Sequence, residues 1–505
     1  MSTTSEFQFD DMQALIRYGH GKLRESCFLL LNIIDVDATK QWLKTAPVSN
    51  AEQTQTGPET VLQIAFSVHG LRVLGVNELV INDFSDEFII GMSGDESRSR
   101  RLGDVGSNAP ELWEWGSDAA RVPHVILLLY AKSDRIESWR KTIVDDQFLK
   151  AFQILRQLPT NDIVDREPFG FKDGISQPRI DWQQQQTTDQ HQRERYSNLL
   201  AAGEVVLGYP NEYGLYTERP LINPQQDSHA AELPDAEDNP GLKDFARNGS
   251  YLVIRQLAQD VPGFWQYLDK TSNSESEREQ LAAAMVGRER DGTPLVAKTT
   301  DPIPGIATTD PVNHFTYDFD LKGNHCPIGS HVRRANPRTG DLPSRSTGRL
   351  SRLLKKIGFK IKPHEDLVAS TRFHRLLRRG RAYGSTLAPD HAIKPDAEVA
   401  ERGLQFICLS ANILRQFEFV QNAWMMNSHF NGLQLESDPL LGNRQPLKSG
   451  QATDCFSRPD PNGPTRISCQ LPQFISVRGG GYFFVPGLRT IKYISALPGD
   501  GSHQQ

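Results

Sequence analysis

Residues 27–34 (CFLLLNII) and 125–130 form continuous apolar runs of strand length, the pattern of strands buried on both faces. Between them, residues 37–45 read as a short helix with Trp42 and Leu43 facing a core. Residues 60–74 are apolar and mixed, with a helical part over 67–74. Residues 133–158 carry helical spacing in Ile136, Trp139, Ile143, Phe148 and Phe152. A second series follows. Residues 249–257 (GSYLVIRQL) predict a strand, residues 264–268 begin a helix and residues 283–287 end another. Residues 404–409 predict a strand, 413–423 a helix, and 481–486 a strand beside the glycine turn Gly479-Gly480-Gly481. Residues 182–195 are Gln-rich without periodicity and 224–239 are acidic, so both read as exposed connections. Each half thus runs strand, helix, helix, strand. That order predicts an α+β fold with antiparallel sheets covered by helices on one side.

Composition narrows the function classes. The 505 residues are 38% hydrophobic, enough for two to four units at ~100–200 residues each. A net charge of −6 argues against a general nucleic-acid surface. The five cysteines (Cys27, Cys326, Cys408, Cys455, Cys469) are odd in number and scattered. They include neither a CxxC pair nor CxxCH, which fits a reducing compartment. No apolar stretch reaches the ~20 residues of a membrane helix, and the N-terminal residues lack a basic, then apolar leader pattern. The expectation is a cytoplasmic protein with no membrane partner.

Three segments carry candidate chemistry. Gly170-Phe171-Lys172-Asp173-Gly174 places a carboxylate between glycines, which permit unusual backbone angles and close approach of a ligand. Asp-Gly is also an ordinary turn pair, although Pro168-Phe169 before it and Ser176-Gln177-Pro178 after it are elaborate for a turn. His331 stands among Arg333, Arg334 and Arg338, guanidinium groups whose fork geometry suits carboxylates or phosphates. His314, His325 and His374 compete with it as a metal ligand. Residues 345–381 hold twelve Lys or Arg in 37 residues. They read as a solvated basic insertion, as a segment that delivers one arginine to an active site, or as a nucleic-acid surface lacking the usual interleaved aromatics.

Taken in order, these segments resemble the dye-decolorizing (DyP-type) haem peroxidases. Residues 170–174 match that family's GxxDG motif. Gly329-Ser330-His331-Val332-Arg333 with Asn336-Pro337-Arg338 is similar to the stretch carrying its proximal haem histidine. Arg378-Arg379-Gly380 with Tyr383-Gly384 is similar to the stretch carrying its distal arginine. Residues 13–21, 70–75, 101–104, 403–408, 415–421 and 480–484 also look like family segments, so the resemblance spans nearly the whole chain. The basic insertion resembles those of the larger, extended bacterial-type members. It leaves Arg375 and Arg379 as alternatives to Arg378, which stands six residues before Gly384.

The resemblance implies two ferredoxin-like domains, residues 1–235 with the GxxDG loop and 236–505 holding one haem b. It implies His331 as the iron ligand, Asp173 as the acid–base group, and Arg378 as the cation that stabilises charge on peroxide. Arg333 would meet a propionate, and Gly174 and Ile175 would line the haem. Glu418 is the candidate acceptor for His331 Nδ1–H. Leu404 and Phe406, two apart on a strand and so on one face, would form the dry ceiling of the distal pocket or simply pack the core. The implied activity is reduction of hydrogen peroxide through a high-valent oxyferryl state and oxidation of bulky aromatic or dye-like donors. Oligomeric state stays open. Two rival readings are a haem- or iron-handling protein of the same fold, and a partner-binding protein that uses the basic insertion without haem.

Overall fold

The apolar runs become strands of one antiparallel sheet. The computed structural model describes residues 6–498 except 54, 56, 119, 162–165, 186–194, 341–369 and 447–448. Most of the Gln-rich tract and residues 345–369 of the basic stretch therefore lie outside the described residues. The sheet contains β1 (Glu25–Ile33), β2 (Thr60–Phe66), β3 (Val125–Ala131), β4 (Phe152–Pro159), β5 (Ser250–Gln259), β6 (Leu377–Arg378), β7 (Arg381–Tyr383), β8 (Gly403–Ser410) and β9 (Ile475–Val485). Its order is β6-β8-β5-β9-β2-β3-β1-β4, with β7 also paired to β8. β1 to β4 form one half and β5 to β9 the other. The halves meet where Phe484 of β9 pairs with Phe66 of β2.

Alternation along the strands sends side chains to two layers. In β1, Cys27, Leu29 and Leu31 face one layer, while Phe28 and Leu30 face the other. Helices cover the first layer: α1 (Val36–Thr45), α2 (Ile136–Ile143), α3 (Asp146–Ala151), α4 (Val261–Thr271), α5 (Glu275–Val286) and, past the short α6 (His331–Ala335), α7 (Leu488–Ala496). They contribute Trp42, Phe148, Trp265, Leu281 and Ile491 to that core. The opposite layer is closed by the N-terminal segment and residues near 205, through Met12, Leu15, Val205 and Tyr209. This is the α+β arrangement that the order of elements predicts. Among the described residues, no helix is long and apolar enough to cross a membrane.

Three local expectations are corrected. Helical spacing over 133–158 ends at Ala151, and Phe152 opens β4. Odd positions Gln153, Leu155 and Gln157 are exposed there while even positions turn inward, the period-two signature of an edge strand. Gly479, Gly480 and Gly481 are not a turn but lie inside β9. A Cβ at Gly479 would stand 2.4 Å from Trp115 Nε1, and one at Gly480 would stand 2.7 Å from Met92 Sδ, so the strand carries glycine where bulky side chains cross it. The third concerns the cysteines: Cys455 and Cys469 are joined in a disulfide, whereas Cys27, Cys326 and Cys408 are buried thiols.

Trp115 is held in place by its indole N–H, which donates to Gln256 on β5. Gly479→Ala should therefore cost about 1–3 kcal/mol, the usual penalty for overpacking a filled site. Urea unfolding at constant m-value checks this. An unchanged midpoint would mean that the indole yields.

Candidate active site

The GxxDG segment is built around a carboxylate that sequence reading passed over. Glu167 is buried. Its two oxygens accept the backbone N–H groups of Phe169 and Phe171, and Gln259 on β5 donates to it. Gly170 has φ +97° and lies against Arg290, and the indole of Trp265 on α4 donates to the Phe169 carbonyl. These contacts fix the loop before it delivers Asp173. Only the position of Glu167, just ahead of a Pro-Phe-Gly turn, hinted at this part. Burial pushes the Glu167 carboxyl up to about 7, against the hydrogen bonds that favour its ionised form.

A sign follows for stability. A carboxyl raised in the folded state stabilises most fully below its unfolded value, and that contribution is lost as pH rises through about 7. The stability of the native protein relative to Glu167→Gln should thus fall between about pH 4.5 and 7. Urea midpoints of both proteins across that window measure it, and parallel curves would show that Glu167 does not titrate there.

Arg378 closes β6, opposite Cys408 of β8, and its backbone N–H donates to the Gln177 side chain. Its Nη1 donates to Asp173 Oδ1 at 3.1 Å. Burial works against ionisation of Asp173. The Arg378 guanidinium and the Gly174 N–H outweigh it and hold the carboxyl below its ordinary range. Gly174, at φ +75°, provides that N–H from the left-handed region. Ile175 follows, its carbonyl accepting Asn313 and its side chain lying against Gly292.

His331 is the first residue of α6. Its Nδ1 stands 3.1 and 3.2 Å from the two oxygens of Asp438. Asp438 is fully buried, and its Oδ1 also accepts the backbone N–H groups of Leu440 and Leu441. Burial opposes charge on both members of the pair. The attraction between them outweighs it, so the imidazole is raised and the carboxyl lowered. A carboxylate can only accept, so Nδ1 carries the proton in either state, and in the neutral ring Nε2 is left as a lone-pair donor. Arg334 braces this arrangement. It donates to the carbonyls of Gly329, Trp424, Asn427 and Glu436, tying α6 to the loop that presents Asp438.

The expected partner of His331, Glu418, is elsewhere and is corrected to Asp438. Glu418 is salt-bridged to Arg98 at 2.8 Å and accepts the Tyr482 hydroxyl at 2.9 Å. It lies on a helix of π winding, Leu414–Glu418, where the wider turn changes which face each residue takes. Arg333 is also corrected. It is buried on Asp320, the Cys326 carbonyl and the Tyr317 ring, committed to its own cluster rather than open to a propionate. Arg338 donates to the carbonyls of Asn313 and Phe315, and Arg375 to Tyr196 and Asn198. Arg379 turns to the opposite side of the sheet, onto the carbonyls of Leu15 and Ile16. Of the rival histidines, His374 is stacked on Phe419 and His314 is buried with neither ring nitrogen hydrogen-bonded.

The structure therefore brings together Asp173, Arg378 and His331. The first two lie close enough to act on the charge of the imidazole. All three keep roughly a third or more of their side chains open (42%, 34% and 32%), although Asp438 behind them is sealed. Leu404 and Phe406 of β8 are half-buried on the face shared by Cys408, the residue paired with Arg378. Among the described residues no group of three or more His, Cys, Asp or Glu could hold a metal ion. One imidazole with Nδ1 anchored on a carboxylate and Nε2 available is the donor set that a haem iron takes.

No family model matches the chain. Curated relatives do. Over 507 residues it is 27% identical to Peroxidase 2 of Mycetinis scorodonius, covering 95% of this chain and 86% of that protein. Over 258 residues it is 31% identical to Multifunctional dye peroxidase DyP2 of an Amycolatopsis species, 48% of each protein. Among solved structures, a DyP-type peroxidase of an Anabaena species superposes with a TM-score of 0.67 at 25% identity, covering 96% of this chain and 94% of that one.

Proposed function

The chain belongs to the dye-decolorizing peroxidase family, and we propose that it binds one haem b, reduces hydrogen peroxide and oxidises aromatic or dye-like donors. One observation carries this reading: an ionised Asp173 paired with Arg378, set near an imidazole whose far nitrogen is anchored on buried Asp438.

His331 would hold the iron through Nε2, and Gly174, Ile175, Leu404 and Phe406 would wall the pocket. Haem, when bound, supplies the centre at which the peroxide O–O bond is split and oxidising equivalents are kept. The chain supplies the rest. Asp173, kept ionised by Arg378 and Gly174, takes the proton from one peroxide oxygen and returns it to the leaving oxygen. Arg378 offsets negative charge that develops on that oxygen. Asp438 fixes the tautomer and orientation of His331 and makes the ring a stronger electron donor.

An absorption spectrum of haem-loaded protein, before and after one equivalent of hydrogen peroxide, tests the reading. A Soret band that shifts within seconds and returns on adding an aromatic donor is expected. A Soret band inert to peroxide would leave haem handling as the function, and a folded protein with no Soret band would remove haem altogether.

A further inference from the structure

The one disulfide among the described residues closes a hairpin that leans on the back of the His331–Asp438 pair. Strands Phe456–Arg458 and Arg466–Ser468 pair antiparallel, with Phe456 opposite Ser468. Cys455 and Cys469 are the next pair in that register, so their bond seals the open end of the hairpin. Among the described residues no third strand joins these two, and a two-stranded hairpin is marginal by itself. Its closure therefore leans on the cross-link. Cys469 is exposed and Cys455 half-buried, whereas Cys27, Cys326 and Cys408 are buried. A cross-link that solvent reaches is one that thiols also reach.

The hairpin touches both members of the pair through their chain neighbours. Ser457 donates its N–H to Glu436 Oε2 at 2.9 Å and its hydroxyl to Glu436 Oε1. Glu436 is buried, its carbonyl accepts Arg334 at 2.6 Å, and its backbone bridges to Asp454, the residue before Cys455. The Ser437 hydroxyl donates to the Thr453 carbonyl at 3.2 Å, and Asp438 follows directly. On the other side the buried Phe456 ring lies against Gly329, two residues before His331. One short ribbon thus braces the chain just ahead of the imidazole and just ahead of the carboxylate. Tyr267 donates to the Cys469 carbonyl, and Leu471 N–H to the Asp454 carbonyl. These bonds do not need the disulfide, so two thiols here would stay within reach of each other.

We propose that the Cys455–Cys469 disulfide is a redox-sensitive strap: closed, it holds Glu436 and the Asp438 loop against His331, and opened by a dithiol reductant it loosens that pair. The inference rests on the proposed function, in which His331 takes the haem iron. In opening, a thiolate of the reductant attacks the exposed Cys469 Sγ. The S–S bond breaks, and Cys455 leaves as a thiolate that takes up a proton. The second thiol of the reductant then displaces Cys469 and departs as a cyclic disulfide, having given up two electrons and two protons in all. Hydrogen peroxide closes the strap again. The Cys469 thiolate attacks one peroxide oxygen, giving a sulfenic acid and one water, and Cys455 displaces the hydroxyl as a second water. The substrate of the proposed reaction thereby tightens the site that consumes it.

The test uses the haem-loaded full chain with dithiothreitol as the probe. Alkylation of the native protein followed by mass spectrometry should count two new thiols after reduction. Hydrogen–deuterium exchange at the Leu440 and Leu441 amides, which donate to Asp438, should then quicken about tenfold or more. Haem transfer to excess apomyoglobin should quicken about tenfold, the low end for losing support of a metal ligand. Cys469→Ser should match the reduced protein and gain nothing further from dithiothreitol, which separates the strap from any reduction of iron. Peroxide added after the reductant is removed should withdraw both thiols and restore slow exchange. A native protein that yields no new thiols, or a reduced protein with unchanged amide exchange and haem release, overturns the strap. Thiols that survive peroxide overturn its closure by substrate. A chain that takes up no haem would instead remove the function on which the inference rests, and amide exchange would still decide whether the disulfide governs the Asp438 loop.

Discussion

Asp173→Asn should leave haem bound and slow peroxide reduction by about 10²–10⁴-fold, the range for loss of a positioned acid–base group. The amide keeps the size of the carboxyl and can still accept from Arg378 Nη1, so the loop held by Glu167 has no reason to move. What disappears is a site that can take and return a proton. The pH profile separates this role from simple charge. Arg378 and the Gly174 N–H hold the Asp173 carboxyl below its ordinary range, so in the native protein the base is lost only at acid pH beneath that range. Arg378→Leu removes the counter-charge and leaves the Gly174 N–H and the imidazole of His331 to oppose burial, which should move the acid limb upward. Stopped-flow absorbance at the Soret band, taken across pH for the three proteins, measures both effects. Near-native rates in Asp173→Asn would place the base elsewhere. An acid limb that stays put in Arg378→Leu would mean the guanidinium does not set the state of Asp173.

What the sequence made legible follows from how local each signal is. β1, β3, β5 and β8 were readable because buried strands write continuous apolar runs. Asp173 and Arg378 were readable as residues of recognisable segments, although 205 positions separate them. The expectation of Glu418 fails because sequence spacing does not show which carboxylate meets the imidazole. The true neighbour of His331 lies 107 residues away, and nothing periodic connects the two. A hint existed in Asp438 itself. An Asp ahead of Pro439-Leu440-Leu441 reads as a residue whose oxygen caps the backbone two and three positions on, and Asp438 does this. Arg333 shows the opposite limit. A cluster of arginines near a histidine announces positive charge, but which guanidinium is free depends on acceptors such as Asp320 and the Cys326 carbonyl, which sequence spacing does not expose. The glycine run 479–481 failed for a related reason: it reads as a turn until Trp115 and Met92 are seen crossing the strand.

His331→Ala should lower haem affinity by more than about 100-fold, beyond the 10–100-fold typical of losing only a residue that supports a metal ligand. The substitution takes away Nε2 and also leaves buried Asp438 without the imidazole that offsets its charge. Two backbone N–H groups, of Leu440 and Leu441, still satisfy Asp438 Oδ1, so the loop should hold its shape and the loss should be local. Arg334 continues to tie α6 to residues 424–436, which supports the same expectation. Added imidazole should therefore enter the vacated space, donate to Asp438 and restore part of the Soret band. Asp438→Asn makes the complementary change. It keeps a neutral acceptor for Nδ1–H but removes the anion, so haem should stay bound 10–100-fold more weakly and the iron–imidazole stretching frequency should fall. Haem titration and resonance Raman spectra of both variants decide the matter. An unaltered iron–imidazole band in His331→Ala would transfer the ligand role to another histidine. An unaltered band in Asp438→Asn would show that the carboxylate orients the ring without changing its electron donation.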